Sequence, residues 1–223
     1  MKQQLTLGIS LRDDATFDNY FAGQNEQVVH SLVEQLEPYV FLFGEQGSGK
    51  SHLLQAACHE AGKDNSPVVY LPLSEPGLMP AMLEGLESMA LVALDDVNSI
   101  IGDDVWETAL FNLYNRAREE GTKLLVSSNE PLASLDIKLA DLRSRLSWGP
   151  VFQLSGLSDK DKQFALQQRA KNRGLELEDG VVTYLLKRSP RDMNSLFSLF
   201  EKLDKASMVE KRRLTIPFIK NYI

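Results

Sequence analysis

The sequence has little of what a disulfide-rich or membrane-spanning protein needs. It contains one cysteine among 223 residues, so an internal disulfide is impossible. Cys58 falls on the apolar side of a predicted helix, where a small core residue is a better interpretation than a reactive thiol. No apolar run is long enough for a signal peptide or a membrane-spanning helix, so we expect a cytoplasmic protein without a membrane partner.

Basic residues are also scarce relative to acidic ones. There are 24 Lys and Arg against 31 Asp and Glu, which gives a formal net charge of −7 and a pI of about 5.1. Because neutralising phosphates requires clustered Lys and Arg, we expect no direct sequence-specific DNA reading. The hydrophobic fraction of 43% and the mean hydropathy of −0.22 are typical of a globular protein with a sizeable core.

A phosphate-binding loop is the clearest motif in the chain. Residues 44–51 read GEQGSGKS, which matches the pattern G-x-x-x-x-G-K-[ST]. Glycines let the backbone approach an anion, N–H groups converge on it, and the following helix adds its positive end. Lys50 is predicted to reach the outer phosphates and Ser51 to hold Mg²⁺. The candidate nucleotide-binding residues of this segment are Gln46, Gly47, Ser48, Gly49, Lys50, Ser51 and His52.

The flanking residues favour a nucleotide site over a glycine-rich turn that carries Lys-Ser by chance. Residues 39–43 read as a buried strand, and the apolar stripe over about 50–61 predicts a helix. A strand, a loop and a helix in that order are what the motif requires.

Acidic and polar residues follow two later predicted strands. Residues 91–94 are an apolar run that ends in Asp95 and Asp96, and ligands bind at the carboxyl ends of parallel strands. Asp95 is predicted to hold Mg²⁺ through water and Asp96 to orient the attacking water. Asn129 follows the strand predicted at 123–127 and is the candidate contact to the γ-phosphate or the water. An ordinary Asn-Glu-Pro turn explains Asn129 nearly as well.

Two arginines lie on the next predicted helix, within the segment LADLRSRLSWG at residues 139–149. Arg143 and Arg145 are two positions apart, so they project from nearly opposite faces. One can therefore face the domain's own site while the other faces outward. An outward arginine on a nucleotide fold suggests an arginine finger that acts on a neighbour's nucleotide, and a solvated helix face is the alternative.

The N-terminal segment alternates polar and apolar residues. Gln4, Leu5, Leu7 and Ile9 belong to an extended stretch whose three apolar side chains share one face. The stretch fits either an edge strand of the main sheet or a linear motif that docks in another protein's groove.

An aromatic cluster precedes the first predicted helix, for which Asn25 is the predicted cap. Phe17 and Tyr20 of this cluster fit core packing and stacking on a nucleotide base equally well. Further along, prolines break up the chain, so the helix predicted at about 80–88 is short.

The composition changes at about residues 155–159, and the chain beyond is predicted to be helical and free of strands. We predict helices at about 158–173, 178–188, 190–208 and 215–222. Arg191 lies in the first turn of the third of these, where it would reach a phosphate between the domains. The predicted organisation is a peptide and linker at 1–14, a nucleotide-binding α/β domain at 15–155 and a helical lid at 156–223.

This order of elements resembles the AAA+ ATPases, and most closely the bacterial replication initiator DnaA. The residues that carry the resemblance are TFDNY at 16–20, the loop at 44–51, the two acids at 95–96 and LRSRLSWG at 142–149. The resemblance implies an α/β P-loop fold with a five-stranded parallel sheet in the order 5-1-4-3-2, followed by a four-helix lid. The chain departs from DnaA in ending before a helix-turn-helix DNA-reading domain could begin, and in having only a short peptide in place of a separate N-terminal domain. Asp96 stands where many AAA+ proteins have Glu, and its shorter side chain predicts weak intrinsic hydrolysis.

The short form resembles the Hda family of DnaA-related regulators. In that family an N-terminal Q-L-x-L-x-L-like peptide docks on the DNA polymerase sliding clamp, and residues 4–9 are similar, although Gly8 and Ile9 depart from the commoner Pro-Leu ending. The resemblance implies a bound nucleotide (ADP, with ATP or another nucleoside diphosphate as alternatives), Mg²⁺, and frequent self-association. It also implies a negative regulator of replication initiation, in which Arg145 completes DnaA's ATPase site and yields inactive ADP-DnaA. Arg143 is the second candidate for the finger.

Two classes of enzyme are the alternatives. A self-standing DNA-dependent AAA+ ATPase, such as a helicase loader or a truncated initiator, would need a basic or aromatic DNA-binding surface that the sequence does not present. A small P-loop kinase has no role for a four-helix lid or for a finger helix. Rapid ATP turnover by the purified protein alone would contradict the regulator interpretation.

Overall fold

The computed structural model describes residues 11–34, 37–188 and 193–223. Two compact units divide the chain at residues 155–156. The first takes in the chain up to Glu45 together with Gly49–Ser155, and the second takes in Gln46–Ser48 together with Gly156–Ile223. None of the helices within the described ranges is both long and apolar enough to cross a membrane.

The first unit is an α/β fold whose strands and helices alternate along the chain. Its strands are β1 (Tyr39–Phe43), β2 (Val68–Pro72), β3 (Leu91–Asp95), β4 (Lys123–Ser128) and β5 (Val151–Gln153). Its α-helices are α1 (Glu26–Val33), α2 (Lys50–Ala61), α3 (Asp104–Glu120) and α4 (Ala140–Leu146). All paired strands are parallel and lie in the order β2-β3-β4-β1-β5, which confirms the predicted sheet order.

Alternate side chains of the sheet pack into two cores, one on each face. Val40 and Leu42 of β1 pack with α1 and α2, whereas Phe41 packs with α3 and α4. Because helices cover both faces, all five residues of β3 are buried, which is why this strand reads as a continuous apolar run. Cys58 is buried in the first of these cores, and burial raises the pKa of its thiol to about 12. The prediction of a small core residue is therefore confirmed.

Two local predictions were wrong. The segment predicted as a short helix over 80–88 forms two 3-10 turns, at Pro80–Leu83 and Leu86–Ser88, and Gly85 separates them with a φ of 81°. Helix α1 begins directly after Asn25, as predicted, but the Asn25 side chain makes no capping bond. Its Oδ1 instead accepts from the backbone N of Ser155 at 2.9 Å, and its Nδ2 donates to the carbonyl of Ser155 at 3.0 Å. Asn25 thus satisfies the backbone that leaves β5, which sequence spacing could not reveal.

The second unit is helical in its described part. Its helices are α5 (Asp159–Asn172), α6 (Asp179–Arg188), α7 (Met193–Glu210) and α8 (Ile216–Ile219). Ser158 begins α5 with a capping box, since its hydroxyl accepts from the N of Asp161 while the Asp161 carboxylate accepts from the N of Ser158. The core of this unit includes the fully buried residues Leu166, Val182, Phe200, Leu203 and Phe218.

Candidate nucleotide site and arginine helix

The phosphate-loop motif connects β1 to α2. Gly47 and Gly49 have φ of 83° and 97°, left-handed conformations that favour glycine. Helix α2 begins at Lys50 and is 12 residues long, so its first N–H groups have no partner within the helix and face the loop. The strand, the loop and the helix that the motif requires are all present.

Lys50 is buried, and its amine lies inside the loop. Nζ donates to the carbonyl oxygens of Gly44 at 2.8 Å and Glu45 at 3.0 Å. Burial lowers the pKa of Lys50, and the carboxylates of Asp96 and Asp95 oppose that shift. The amine is therefore close to both acids at the end of β3, as a phosphate-binding lysine needs to be.

Asp95 ends β3 and is held by hydroxyl groups from both neighbouring strands. The Oη of Tyr70 in β2 donates to Oδ2 of Asp95 at 2.7 Å, and the hydroxyl of Ser127 in β4 donates to Oδ1. Burial, and then the charge of Asp95, raise the pKa of Tyr70, while hydrogen bonds from Gln55 and Ser51 oppose that rise. Asp95, one of the two predicted Mg²⁺ ligands, is thus bonded to side-chain hydroxyls from both neighbouring strands.

Asp96 follows β3 directly and adopts a φ of 57°. Its Oδ1 accepts from Nδ2 of Asn129 at 3.3 Å, its Oδ2 accepts from the hydroxyl of Ser74 at 3.2 Å, and its N–H donates to Oγ of Ser127 at 2.9 Å. Burial, and then the charge of Asp95, raise the pKa of Asp96. The structure therefore brings Asp96 and Asn129 together at the carboxyl end of the sheet, where a carboxylate with a raised pKa can accept a proton from water.

The residues of this edge fit a nucleotide phosphate with Mg²⁺. The first N–H groups of α2 can donate to phosphate oxygens. Lys50 supplies a positive charge in the phosphate loop. Ser51 and Asp95 supply the hydroxyl and carboxylate oxygens that Mg²⁺ prefers.

Tyr20 and His52 lie against the phosphate loop. A Cβ built on Gly49 would lie 2.7 Å from Cε2 of Tyr20, so only glycine fits beneath this ring. The ring centroids of Tyr20 and His52 are 5.3 Å apart, and His52 Nε2 lies 2.8 Å from the carbonyl oxygen of Thr16. Burial raises the pKa of Tyr20 to about 12. Phe17 packs on the core beside α1 and α2, and base stacking by either aromatic residue stays a prediction.

Arg143 of α4 is bonded within its own unit. Its Nη1 donates to the carbonyl of Leu132 at 3.3 Å and its Nη2 to that of Leu135 at 2.8 Å. Arg143 also lines a cavity of about 720 Å³ together with Phe43 and Val151. Its terminal nitrogens therefore satisfy backbone carbonyls of the segment between β4 and α4.

Arg145 lies on an aromatic surface. Its guanidinium carbon is 4.2 Å from the ring centroid of Trp148 and 5.4 Å from that of Phe111. Its Nε is buried and has no hydrogen-bond partner among the described residues. An unpaired buried donor costs about 1–3 kcal/mol, and a cation–π contact offsets about 0.5–2 kcal/mol of that. Arg143 and Arg145, only two positions apart in the sequence, thus have different surroundings.

Trp148, which contacts Arg145, lies at the amino end of the sheet. The Trp148 ring is 5.5 Å from the ring of Tyr39, the first residue of β1. The phosphate loop begins at Gly44, after the last residue of that strand. The length of β1 is roughly 15 Å, so Tyr39 and the phosphate loop lie at opposite ends of this strand.

Comparison with known sequences now places the chain in a family. The sequence model of the bacterial DnaA ATPase domain matches residues 11–153. The chain belongs to the bacterial DnaA ATPase-domain family. The model of the Hda lid domain matches residues 159–223. The predicted resemblance to Hda, a DnaA-related AAA+ regulator, is confirmed at this level.

Solved structures of DnaA and of RuvB share the fold. Domain III of the Thermotoga maritima replication initiation protein DnaA has a TM-score of 0.77 and 20% identity, with 95% of this chain and 96% of that chain covered. AMPPCP-bound DnaA from Aquifex aeolicus has a TM-score of 0.71 and 24% identity, with 86% and 66% covered. The Thermotoga maritima RuvB Holliday junction branch migration motor has a TM-score of 0.64 and 18% identity, with 88% and 65% covered. At these identities the similarity establishes the fold alone.

Several predicted residues of this DnaA-family chain lie outside the described ranges. They are Gln4, Leu5, Leu7 and Ile9 of the N-terminal peptide and Arg191 of the lid. Their roles stay predictions.

Sequence reasoning missed the hydroxyl groups that hold the two acids. Tyr70 and Ser127 point at Asp95 from the strands on either side of it. The signal was available in the predicted sheet order, because β2 and β4 flank β3 and residues near the ends of neighbouring strands are diagonal neighbours.

Proposed function

We propose that this DnaA-family protein is a negative regulator of replication initiation that stimulates hydrolysis of DnaA-bound ATP. Arg145 acts in trans as an arginine finger, and the nucleotide in the chain's own phosphate loop is not the one hydrolysed. The observation that carries the proposal is the position of Arg145. Its buried Nε has no hydrogen-bond partner in the described ranges, and the Trp148 ring that it contacts packs on Tyr39, at the opposite end of β1 from the chain's own phosphate loop.

To stimulate hydrolysis, the regulator needs only to place a guanidinium group beside the phosphate that is transferred. During phosphoryl transfer, negative charge spreads over the oxygens of the transferred group, and an arginine finger that stabilises this charge is worth roughly 10³–10⁵ in rate. Arg145 would donate from the edge of its guanidinium to these oxygens, while DnaA supplies the attacking water and the remaining contacts. The product is ADP-bound DnaA, which is the inactive form in this proposal.

The chain's own site holds a nucleotide and sets the binding-competent form of the protein. Lys50 and the loop backbone bind its phosphates, and Ser51 with Asp95 holds Mg²⁺, which supplies positive charge beside the phosphates. Adenine nucleotide is the expected class, because the solved DnaA structure of the same fold is bound to AMPPCP, and the resemblance to the Hda family favours ADP. Asp96 is shorter than the glutamate of many AAA+ proteins, so we expect slow hydrolysis of ATP bound here.

The sliding clamp is the second proposed partner, and its support is the sequence pattern at residues 4–9. Docking of this peptide would concentrate the regulator where the clamp is loaded on DNA. The double variant Leu5→Ala with Leu7→Ala is expected to abolish clamp capture without changing the thermal unfolding of the α/β unit. Unchanged clamp capture would favour the edge-strand interpretation of the peptide instead.

The decisive experiment measures hydrolysis of ATP pre-bound to DnaA, with and without DNA-loaded clamp. Arg145→Ala is expected to remove the stimulation, with nucleotide binding and thermal stability unchanged. Arg145→Lys is expected to fail as well, because an ammonium cannot reproduce the planar donor fork. Arg143→Ala is the comparison variant, since Arg143 is bonded to Leu132 and Leu135 of its own unit. Stimulation that survives Arg145→Ala but not Arg143→Ala would move the finger to Arg143.

A self-standing DNA-dependent ATPase is the second candidate, and one contact favours it. Asp96 and Asn129 are joined at 3.3 Å at the carboxyl end of the sheet, an arrangement that could orient an attacking water in the chain's own site. Single-turnover hydrolysis by the protein alone separates the candidates. Rapid turnover that Asp96→Asn abolishes would support the second candidate and contradict the first.

A further inference from the structure

Trp148 is held firmly against the start of the sheet. Its ring makes edge contacts with two tyrosine rings. The distance between ring centroids is 5.5 Å to Tyr39 and 6.3 Å to the fully buried Tyr114. The backbone after Trp148 lies close to β1, since a Cβ built on Gly149 would lie 1.7 Å from the carbonyl oxygen of Tyr39. The indole therefore has little freedom to move relative to β1.

We propose that Trp148 is the positioning residue for Arg145. The inference rests on the proposed function and adds to it the device that aims the finger. The Arg145 guanidinium carbon lies over the indole at 4.2 Å. All five N–H donors of a guanidinium lie in its plane, so a group whose face rests on an aromatic ring keeps its edge available for phosphate oxygens.

The surroundings of Arg145 support positioning over simple packing. An arginine that only stabilised the fold would be expected to satisfy its donors, as Arg143 does with two backbone carbonyls. Arg145 instead keeps a buried Nε unpaired and relies on aromatic rings. A fixed ring orders the side chain before it meets its partner, which removes part of the ordering cost from the productive complex.

Arg118 provides a matched control. Its guanidinium carbon lies 5.0 Å from the centroid of the same Trp148 ring, but its side chain is exposed at the end of α3. Arg118→Gln therefore removes a cation from the indole without changing Arg145. If Trp148 acts through Arg145, this variant should keep the stimulated rate of DnaA-bound ATP hydrolysis within about threefold.

The first test uses the isolated protein and does not depend on DnaA. The chain has two tryptophans, so Trp106→Phe leaves Trp148 as the sole indole fluorophore. In that background, Arg145→Ala is expected to shift the Trp148 emission and to increase its quenching by acrylamide, because one face of the ring becomes uncovered. A Trp148 spectrum and quenching constant that do not respond to Arg145→Ala would overturn the proposal.

The second test compares Trp148→Phe with Trp148→Leu in the stimulated hydrolysis assay. Trp148→Leu is expected to lower the maximal rate by about ten- to a hundredfold, with the half-saturating concentration nearly unchanged, as for an interaction made only in the transition state. Trp148→Phe retains an aromatic face and is expected to keep most of the rate. A full maximal rate for Trp148→Leu, or equal loss in both variants, would overturn the inference. If Trp148→Leu fails to fold, Trp148→Met fills the space better and is compared with Trp148→Phe in its place.

The two tests also separate this inference from the proposed function. If Arg145→Ala leaves stimulation intact, then the finger assignment is wrong, whatever the fluorescence shows. If Arg145→Ala removes stimulation while Trp148→Leu or Trp148→Met does not, then the finger stands and its aromatic support is not what aims it.

Discussion

Glu107 is a buried carboxylate whose removal tests how the arginine helix is held in place. Its side chain is on α3 and it is 1% exposed. Oε1 accepts from the backbone N of Gly102 at 2.8 Å and of Lys138 at 3.3 Å, and Oε2 accepts from the N of Leu139 at 2.7 Å. Leu139 immediately precedes α4, so this carboxylate fixes the start of the helix that carries Arg145.

The expected loss follows from these three bonds. A hydrogen bond to a charged group contributes about 1.5–3 kcal/mol. Two short bonds and one long bond therefore predict that Glu107→Ala lowers the free energy of unfolding by roughly 4–6 kcal/mol. Glu107→Gln keeps one acceptor oxygen and turns an amide donor toward one N–H, so we expect a loss of roughly 1.5–3 kcal/mol. A domain has about 5–15 kcal/mol in total, so the Ala variant approaches the limit of folding and the Gln variant does not.

Urea unfolding followed by far-UV circular dichroism measures these losses. We expect the order wild type, Glu107→Gln, Glu107→Ala in decreasing stability. Equal losses in the two variants would show that the remaining amide oxygen of Gln recovers none of the stability, because Gln keeps nearly the volume of Glu107. A loss below about 1.5 kcal/mol for Glu107→Ala would refute the reasoning, because it would mean that the three N–H groups find other partners.

Three further predictions concern single positions. Gly149→Ala is expected to prevent folding, because its Cβ would lie 1.7 Å from the carbonyl oxygen of Tyr39. Gly180→Ala, at an open helical position of α6, is expected to raise the free energy of unfolding by about 0.5–1 kcal/mol. Expression and thermal unfolding of both variants check these expectations. Lys50→Ala should weaken nucleotide binding at least about tenfold, measured by isothermal titration, because a buried charge at the phosphates is lost; unchanged affinity would argue against the nucleotide site. Burial raises the pKa of Asp96, so the folded state favours the protonated carboxyl group. The stability that the protonated group contributes at low pH is lost as the pH rises through the folded pKa. Asp96→Asn should therefore gain stability relative to wild type as the pH rises from the ordinary aspartate pKa to the raised pKa of the folded state, and a pH-independent difference would contradict the shift.

The loop and the two acids could be predicted because each depends on neighbours in sequence. Residues 44–51 carry their own conformational requirements, and an apolar run ending in two acids predicts a buried strand with its tip at the site. The sheet order followed from family resemblance and was confirmed. The capping bond predicted for Asn25 is absent because its side chain bonds Ser155 instead, a residue 130 positions away that no local pattern could indicate.

The sequence by itself determined the α/β pattern, the phosphate loop and the position of two arginines on one short helix. Spacing alone already required Arg143 and Arg145 to point in different directions, because two residues correspond to about 200° of an α-helix. Only the tertiary structure decided what each arginine meets. Arg143 faces the carbonyls of Leu132 and Leu135, whereas Arg145 faces an indole that packs on the first residue of β1. Those partners are brought together by the packing of α4 and β5 against the sheet, which no local pattern encodes.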